Sequence, residues 1–381
     1  MKVLGVLASL ALIVLVLRDG FETMVLPRQV TNRFRYTRFF FRVTWRCWRA
    51  LALRLPAGKR RQTFLSWFGP LSVLSLFSNW MLGLILGFAW LQEALGCVLQ
   101  TPDGKADFWT YLYLSGVTFF TVGYGDVTPA APLGRLLAVA ESGLGLGFLA
   151  VVIGYLPVLY QAFSRREVTI SLLDARAGSP PSVAQVLFRV AQAGKADALD
   201  PFLAEWERWA AELLESHLSF PVLSHYRSQH DNQSWLAAVT TMLDTCTFLM
   251  VGVKNHNPYQ AQLTFAMARH AVVDLALVFK TLPLAPDPER LSPDELRRLQ
   301  LWLRQAGLDL REGPASDARL AEIRGMYEPF VNALAQHFLL ALPPILPAEE
   351  VTDNWQRSAW MRRASGFGSL PLANVEDDHL K

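Results

Sequence analysis

Cysteine is nearly absent, with three thiols, Cys47, Cys97 and Cys246, scattered over 381 residues. That is too few and too dispersed for a disulfide framework or a zinc site with paired ligands, so all three are expected to be ordinary thiols. The short motifs that assemble catalytic sites are also missing: no nucleophile elbow, no His-Glu-x-x-His and no phosphate loop occurs. An enzyme is therefore not expected. Without a glycine-rich nucleotide loop there is no sign of a nucleotide-binding regulatory domain, and no nucleic-acid partner or cofactor is expected. Charged residues make up only 18% of the chain against 52% hydrophobic, a balance that points from soluble proteins toward membrane proteins.

Acidic residues are absent from one whole stretch. Between Pro27 and Gly69 there are 11 Arg or Lys and no Asp or Glu. The overall net charge of +3 conceals this, because residues 1–166 carry +10 and residues 167–381 carry −7. The positive-inside rule places the stretch 27–69 in the cytoplasm. Ahead of it, Val3–Leu17 is an apolar run of 15 residues, which as a helix covers about 22 Å and falls short of the roughly 30 Å hydrocarbon core. A signal peptide would carry its positive charge before such a run. Here only Lys2 precedes it and Arg18 follows, so an uncleaved short anchor over residues 1–26, with its N-terminus outside, is expected.

Two further segments are long enough to cross. Leu71–Leu91 is 21 residues without a charge, and Ala131–Tyr160, carrying Glu141 and Pro157, ends at Arg165-Arg166. Three crossings from an outside N-terminus leave the C-terminus in the cytoplasm. Within the basic stretch, Arg35, Arg38, Arg42, Arg46 and Arg49 fall on one helical face, interspersed with Phe34, Phe41, Trp45, Trp48 and Leu51. This reads as an amphipathic helix lying on anionic lipids of the inner leaflet. A voltage-sensing helix is the sharper alternative, disfavoured by the mixed arginine spacing and the lack of a spanning apolar background.

Between the last two segments, Asp107–Phe120 is a 14-residue stretch of mainly apolar character, too short to span but suited to a re-entrant helix. Its C-terminal end leads into Thr121-Val122-Gly123-Tyr124-Gly125-Asp126. Irregular backbone at membrane depth is tolerated where it lines a cavity, and a dehydrated cation needs oxygens in place of its water shell. Carbonyls can supply them if all turn the same way, which glycine at 123 and 125 allows. The partial negative charge of a helix C-terminus favours a cation there. A glycine-rich turn that merely looks like such a loop is the bland alternative, and the flanking segments weigh against it.

The pattern Thr118-x-x-Thr121-x-Gly123-Tyr124-Gly125-Asp126 resembles the potassium channel family, specifically bacterial members with one pore loop per chain, over residues 71–163. The resemblance implies that carbonyls of Thr121, Val122, Gly123 and Tyr124, with the Thr121 hydroxyl, ligate potassium as the selectivity filter. It implies that Asp126 sits at the outer mouth and that Thr118 supports the filter from the pore helix. One pore loop cannot enclose an ion, so several copies must, and the family uses four: a homotetramer is expected. The resemblance also suggests Gly145 as a gating hinge, with Pro157 a further place for bending. The other reading of these glycines is close helix packing. Glu141 is costly inside a bilayer and is expected to be hydrogen-bonded behind the filter rather than a direct ion ligand.

Beyond residue 166 the pattern becomes helical and amphipathic, near 183–193, 197–218, 232–252, 259–281, 293–307 and 316–342, with Ser292-Pro293-Asp294-Glu295 a capped helix start. Val168–Leu173 alternates and reads as a short strand or an extended linker. His225-Tyr226-Arg227-Ser228-Gln229-His230-Asp231-Asn232 is the densest polar cluster, and His270 and Asp274 face one another at i, i+4. They could serve an unidentified cytoplasmic ligand, but helix capping and satisfaction of backbone groups is the better reading. The expected organisation is an all-α membrane protein: anchor helix 1–26, basic segment 27–69, pore domain 70–166, cytoplasmic helical regulatory domain 167–364 and disordered tail 365–381. It would lie in the inner (plasma) membrane as a potassium channel. The competing function is a non-conducting, membrane-tethered sensor or scaffold built on a channel-like pore.

Overall fold

The computed structural model describes residues 2–26, 35–102, 104–193, 198–230, 232–254 and 256–347. The expected tail 365–381, Phe34 of the basic segment and Asp231 of the polar cluster lie outside these residues. The chain divides into two compact units, Met1–Ala162 and Phe163–Lys381.

In the first unit, α1 (Lys2–Met24) is a helix of 23 residues, about 34 Å long at the usual rise. It is longer than its apolar run because the helix continues through Arg18, Asp19 and Glu22, whose polar groups find partners. Arg18 Nε donates to Glu22 at 2.8 Å. The buried carboxylate of Asp19 accepts from Thr37 Oγ1 at 2.6 Å, from Thr37 N at 3.2 Å and from Trp80 Nε1 at 3.0 Å. It thereby fills, from a different helix, the capping role at the start of α2 (Tyr36–Leu53), whose own N-cap Arg35 makes no side-chain cap.

A short helix α3 (Lys59–Ser66) then leads into α4 (Phe68–Ala94), the outer helix. Gly83-x-x-x-Gly87 on α4 admits α1. A Cβ on Gly87 would stand 2.6 Å from Ile13 Cγ1, and one on Gly83 3.0 Å from Val16 Cγ2. Small residues four apart let two membrane helices approach closely.

Helix α2 runs antiparallel along the first half of α4. Tyr36 OH donates to Asn79 at 3.2 Å near one end, and the Trp45 and Phe68 rings meet at 4.9 Å nearer the other. Its Phe40, Trp45 and Ala52 are buried while Arg38, Arg42 and Arg46 are exposed. Arg35 departs from the expected lipid-facing stripe. It turns inward, donating to Glu22 O at 3.1 Å and Thr23 Oγ1 at 3.2 Å, because the acids of α1 lie beside it.

The outer helix is followed by β1 (Leu99–Gln100), α5 (Phe108–Phe119), β2 (Thr128–Pro129) and α6 (Pro132–Ala177). The two short strands pair antiparallel, Leu99 with Pro129 and Gln100 with Thr128.

Residues 168–173, read as a strand or linker, are helical and belong to α6. Ile170, Leu173 and Ala177 repeat at helical spacing and are buried in the second unit's core, a burial that overrides the local alternation. That unit is otherwise α7 (Val183–Ala193), α8 (Leu199–Ser219), a 3-10 turn Pro221–His225, α9 (Trp235–Val251), α10 (Tyr259–Phe279), α11 (Pro293–Gln305), α12 (Pro314–Gly325) and α13 (Glu328–Phe338). The α9 helix is apolar almost all round and sits at the centre, as such helices must. Its threonines 240, 241, 245 and 247 return their hydroxyls to carbonyls one turn back, at 2.7–2.9 Å. The helix read as 316–342 is two helices, α12 and α13. The break falls at Met326-Tyr327, just before Pro329, which lacks the N–H needed to continue. Ser292 caps α11 in a reciprocal capping box with Glu295.

Among the described residues, four helical segments are long and apolar enough to cross a membrane by length and composition: α1, α3–α4, α6 and α10. The last packs one face into the second unit's core through Ala261, Phe265, Ala268, Val272 and Leu275.

Candidate ion pathway

The sequence fixes the start of α5 by a capping box. Asp107 accepts from Thr110 N at 2.9 Å and from Thr110 Oγ1 at 2.7 Å, while Asp107 N donates back to Thr110 Oγ1 at 3.3 Å. Tyr111 OH ties the helix to Cys97 O at 2.7 Å. At its other end the chain does not leave the helix freely. Thr121 N donates to Thr118 O at 3.0 Å, Val122 N to Val117 O at 2.8 Å and Gly123 N to Val117 O at 3.3 Å. The last carbonyls of α5, otherwise orphaned, thus anchor the first residues of the loop.

From there the backbone alternates. Thr121, Gly123 and Gly125 have φ of 55°, 58° and 83°, while Val122 and Tyr124 between them are not left-handed. Residues of alternating hand turn successive carbonyls to one side of the strand, the arrangement a column of cation sites needs. Glycine takes such angles without strain. Thr121 does not, and a β-branched residue in this region costs on the order of 1–3 kcal/mol. Its strain was not foreseen from the sequence, which marked only the glycines. Residues 121–126 are all exposed in the single chain, Tyr124 at 73%. Asp126 accepts from Tyr113 OH at 2.9 Å, which fixes the loop's outer end to the pore helix.

The inner helix α6 meets α5 at two points one turn apart. Glu141 is buried, with Ser115 Oγ in hydrogen-bond contact with Oε1 and Gln92 Nε2 at 3.4 Å from Oε2. At Gly145 a Cβ would stand 2.1 Å from the carbonyl oxygen of Phe119. Close approach alone therefore accounts for this glycine. Gly145→Ala is expected to push α6 off the pore helix at a cost of about 1–3 kcal/mol per chain, as overpacking does. Thermal melts of the detergent-solubilised protein would register it, with Gly143→Ala, which meets nothing within 4 Å, changing less. Pro157 lies within α6 without ending it, on an exposed position.

Residues 80–161, covering this whole arrangement, match the family described as Ion channel. The protein LctB of Geobacillus stearothermophilus is 39% identical over 95 residues, 21% of this chain and 70% of LctB. The chain belongs to the ion channel family. The human potassium voltage-gated channel subfamily KQT member 4 is 38% identical over 85 residues, 21% of this chain and 12% of that protein. The similarity to the membrane protein YdjJ of Bacillus subtilis is broader and weaker, 23% over 206 residues, or 53% of this chain and 59% of YdjJ. The chain thus spans somewhat over half the length of YdjJ. No solved structure matches it. As an ion channel with several apolar helices it is a multi-pass membrane protein.

Two of the polar groups singled out in the second unit, His225 and Arg227, take part in its packing. His225 is buried against the Phe338 and Phe279 rings at 5.0 and 6.0 Å. Arg227 Nη1 donates to Leu339 O at 3.0 Å and Nη2 to Phe338 O, closing the C-terminus of α13. Exposed His270 lies 3.3 Å from half-buried Asp274 one turn on. Among the described residues no group of three His, Cys, Asp or Glu is placed to hold a metal ion.

Sequence reading missed His217 and took Arg166 only as a charge marking the end of a membrane segment. Arg166 is buried and donates to Leu223 O and Tyr226 O, both at 2.9 Å, and its Nη1 lies 3.3 Å from His217 Nε2. A guanidinium can only donate, so His217 Nε2 accepts, and Nδ1, 2.7 Å from Leu213 O, carries the ring's proton. Burial, then the neighbouring Arg166 charge, holds His217 well below the usual histidine range. Burial, then His337 and Arg227, does the same for His225.

Both rings are neutral in the fold and take up a proton more readily once unfolded. Stability is therefore complete above an unfolded histidine pKa of about 6.5 and falls as pH drops below it. Melting temperatures of the full chain measured from about pH 8 down to about pH 5 are expected to decline over the lower half of that range. A flat profile would contradict buried neutral histidines.

Proposed function

We propose that four copies of this chain assemble a potassium-selective pore through which the ion passes down its electrochemical gradient. The observation that carries this reading is the alternating backbone of Thr121–Gly125, rooted on the C-terminal carbonyls of a pore helix. Carbonyls of Thr121, Val122, Gly123 and Tyr124 would replace the ion's hydration shell, with Thr118 behind them and Asp126 at the outer mouth. One chain supplies one quarter of such a ring, and the exposure of Tyr124 and Val122 in the single chain accords with neighbours packing there. Relatives named as potassium channels, from human and from Aeropyrum pernix, support the choice of ion.

In this reading α1, α4 and α6 cross the inner membrane, the N-terminus lies outside and the second unit is cytoplasmic, with α10 a core helix of that unit. Arg38, Arg42 and Arg46 face anionic lipid, with Arg49 beside them and Arg35 withdrawn. The second unit gates the pore by moving the end of α6, which it holds through Ile170, Leu173 and the bonds of Arg166. A cytoplasmic ligand would act there.

The test is ion flux through the full chain in liposomes, potassium against sodium, with and without barium. Barium-sensitive flux that strongly prefers potassium is expected. Flux without preference would overturn the filter assignment, and absence of flux under all membrane potentials and ionic conditions would favour the non-conducting sensor.

A further inference from the structure

Three helices of the first unit converge on one buried polar node. Ser115 of α5, Glu141 of α6 and Gln92 of α4 are each 0% exposed. Ser115 Oγ lies 2.8 Å from the backbone carbonyl of Ile85 on α4, and it is also bonded to Glu141 Oε1. A serine hydroxyl carries one proton, and a carbonyl carries none. If that proton goes to Glu141, Ser115 Oγ and Ile85 O face one another at 2.8 Å as two acceptors. If it goes to Ile85 O, the proton between Ser115 and Glu141 must come from the carboxyl group. Only the second assignment satisfies both contacts. Gln92 Nε2 then donates to the remaining carboxyl oxygen, Oε2. Among the described residues no Lys, Arg or His forms an ion pair with Glu141.

We propose that Glu141 is a neutral carboxylic acid that donates to Ser115, completing a directed chain Glu141→Ser115→Ile85 O that fixes the pore helix between the outer and inner helices. It is a positioning residue. Within the next turn of α5, Val117 and Thr118 hold the amides of Thr121, Val122 and Gly123. A shift of α5 at Ser115 is therefore passed to the loop's first residues. One turn further along α6, Gly145 seats against Phe119, so the donor and the close approach clamp the same helix end. The consequence for selectivity rests on the pore reading above, whereas the protonation itself does not.

Glu141→Gln separates a donor from a charge, because an amide of the same shape can give a proton to Ser115 Oγ and accept one from Gln92. Infrared spectra of the full chain in lipid at neutral pH are expected to show a protonated carboxylic C=O absorption that disappears in E141Q. Loss of a carboxylate absorption instead would overturn the proposal. In flux assays E141Q is expected to keep wild-type potassium preference, while E141A, lacking a donor, loses about tenfold in sustained potassium flux. E141Q behaving like E141A would also overturn it. If the wild-type protein carries no flux, the pore reading fails on that assay and the infrared result still decides the state of Glu141.

Discussion

Gly125→Ala and Tyr124→Ala are each expected to abolish the preference for potassium over sodium, read as a collapse of the reversal-potential difference under bi-ionic conditions. At Gly125 the backbone has φ of 83°, and an L side chain in the left-handed region costs roughly 1–2 kcal/mol. In the proposed ring of four copies that would amount to about 4–8 kcal/mol per pore, relieved most easily by rotating a peptide so that its carbonyl leaves the axis. Tyr124→Ala acts differently, since its ring, 73% exposed in one chain, is the loop's largest surface for a neighbouring copy. Tyr124→Phe keeps that surface and the backbone oxygen, and it should retain selectivity. Potassium preference surviving Gly125→Ala would refute the filter assignment.

The second large effect is expected in the second unit, from Asp244→Ala. Asp244 is the only charged side chain on the central helix α9. One oxygen accepts from Arg290 Nη2 at 2.7 Å and the other from Tyr327 OH at 2.5 Å. Arg290 Nη1 reaches Glu328 at 2.8 Å, which also accepts from Arg324 at 2.6 Å. Two arginines and two acids therefore share one buried site with no net charge. Removing Asp244 leaves a surplus cation there, and breaking a buried pair this way costs about 3–5 kcal/mol. For a unit of this size that lowers the melting temperature by about 6–20 °C. Adding Arg290→Met should return part of the loss, because it removes the stranded charge, and a double-mutant cycle would measure how much. Strict additivity would mean that the two side chains are not coupled.

Much of the pore was legible in the sequence because its signals are local. A short apolar helix beginning at Asp107 and the glycines at 123 and 125 each declare their conformation within a few residues. Where the reading fell short, partners distant in the chain decide the outcome. The 15-residue apolar run understated α1, since Asp19 is satisfied by Thr37 and Trp80, which pattern reading cannot pair. The spacing Gly83-x-x-x-Gly87 was available as a signal for a docking helix and went unused. Val168–Leu173 alternates like a strand, yet the second unit's core captures it as helix through Ile170 and Leu173. At Tyr327 the amphipathic period ran on through a break that Pro329 enforces. Ser115 gave no sign of its importance, because a lone serine in an apolar helix acquires meaning only beside Glu141.

The bonds of Arg166 bear on how this protein could be divided. Its guanidinium holds the carbonyls of Leu223 and Tyr226, and Phe163, two turns short of Ile170, packs on the Tyr226 ring at 5.5 Å. A fragment beginning at Glu167, where the charge pattern suggests a clean cut, would leave two buried carbonyls without their donor. A cut that respects the second unit therefore keeps Phe163 with it, and the last turns of α6 go with that unit as part of its own interior.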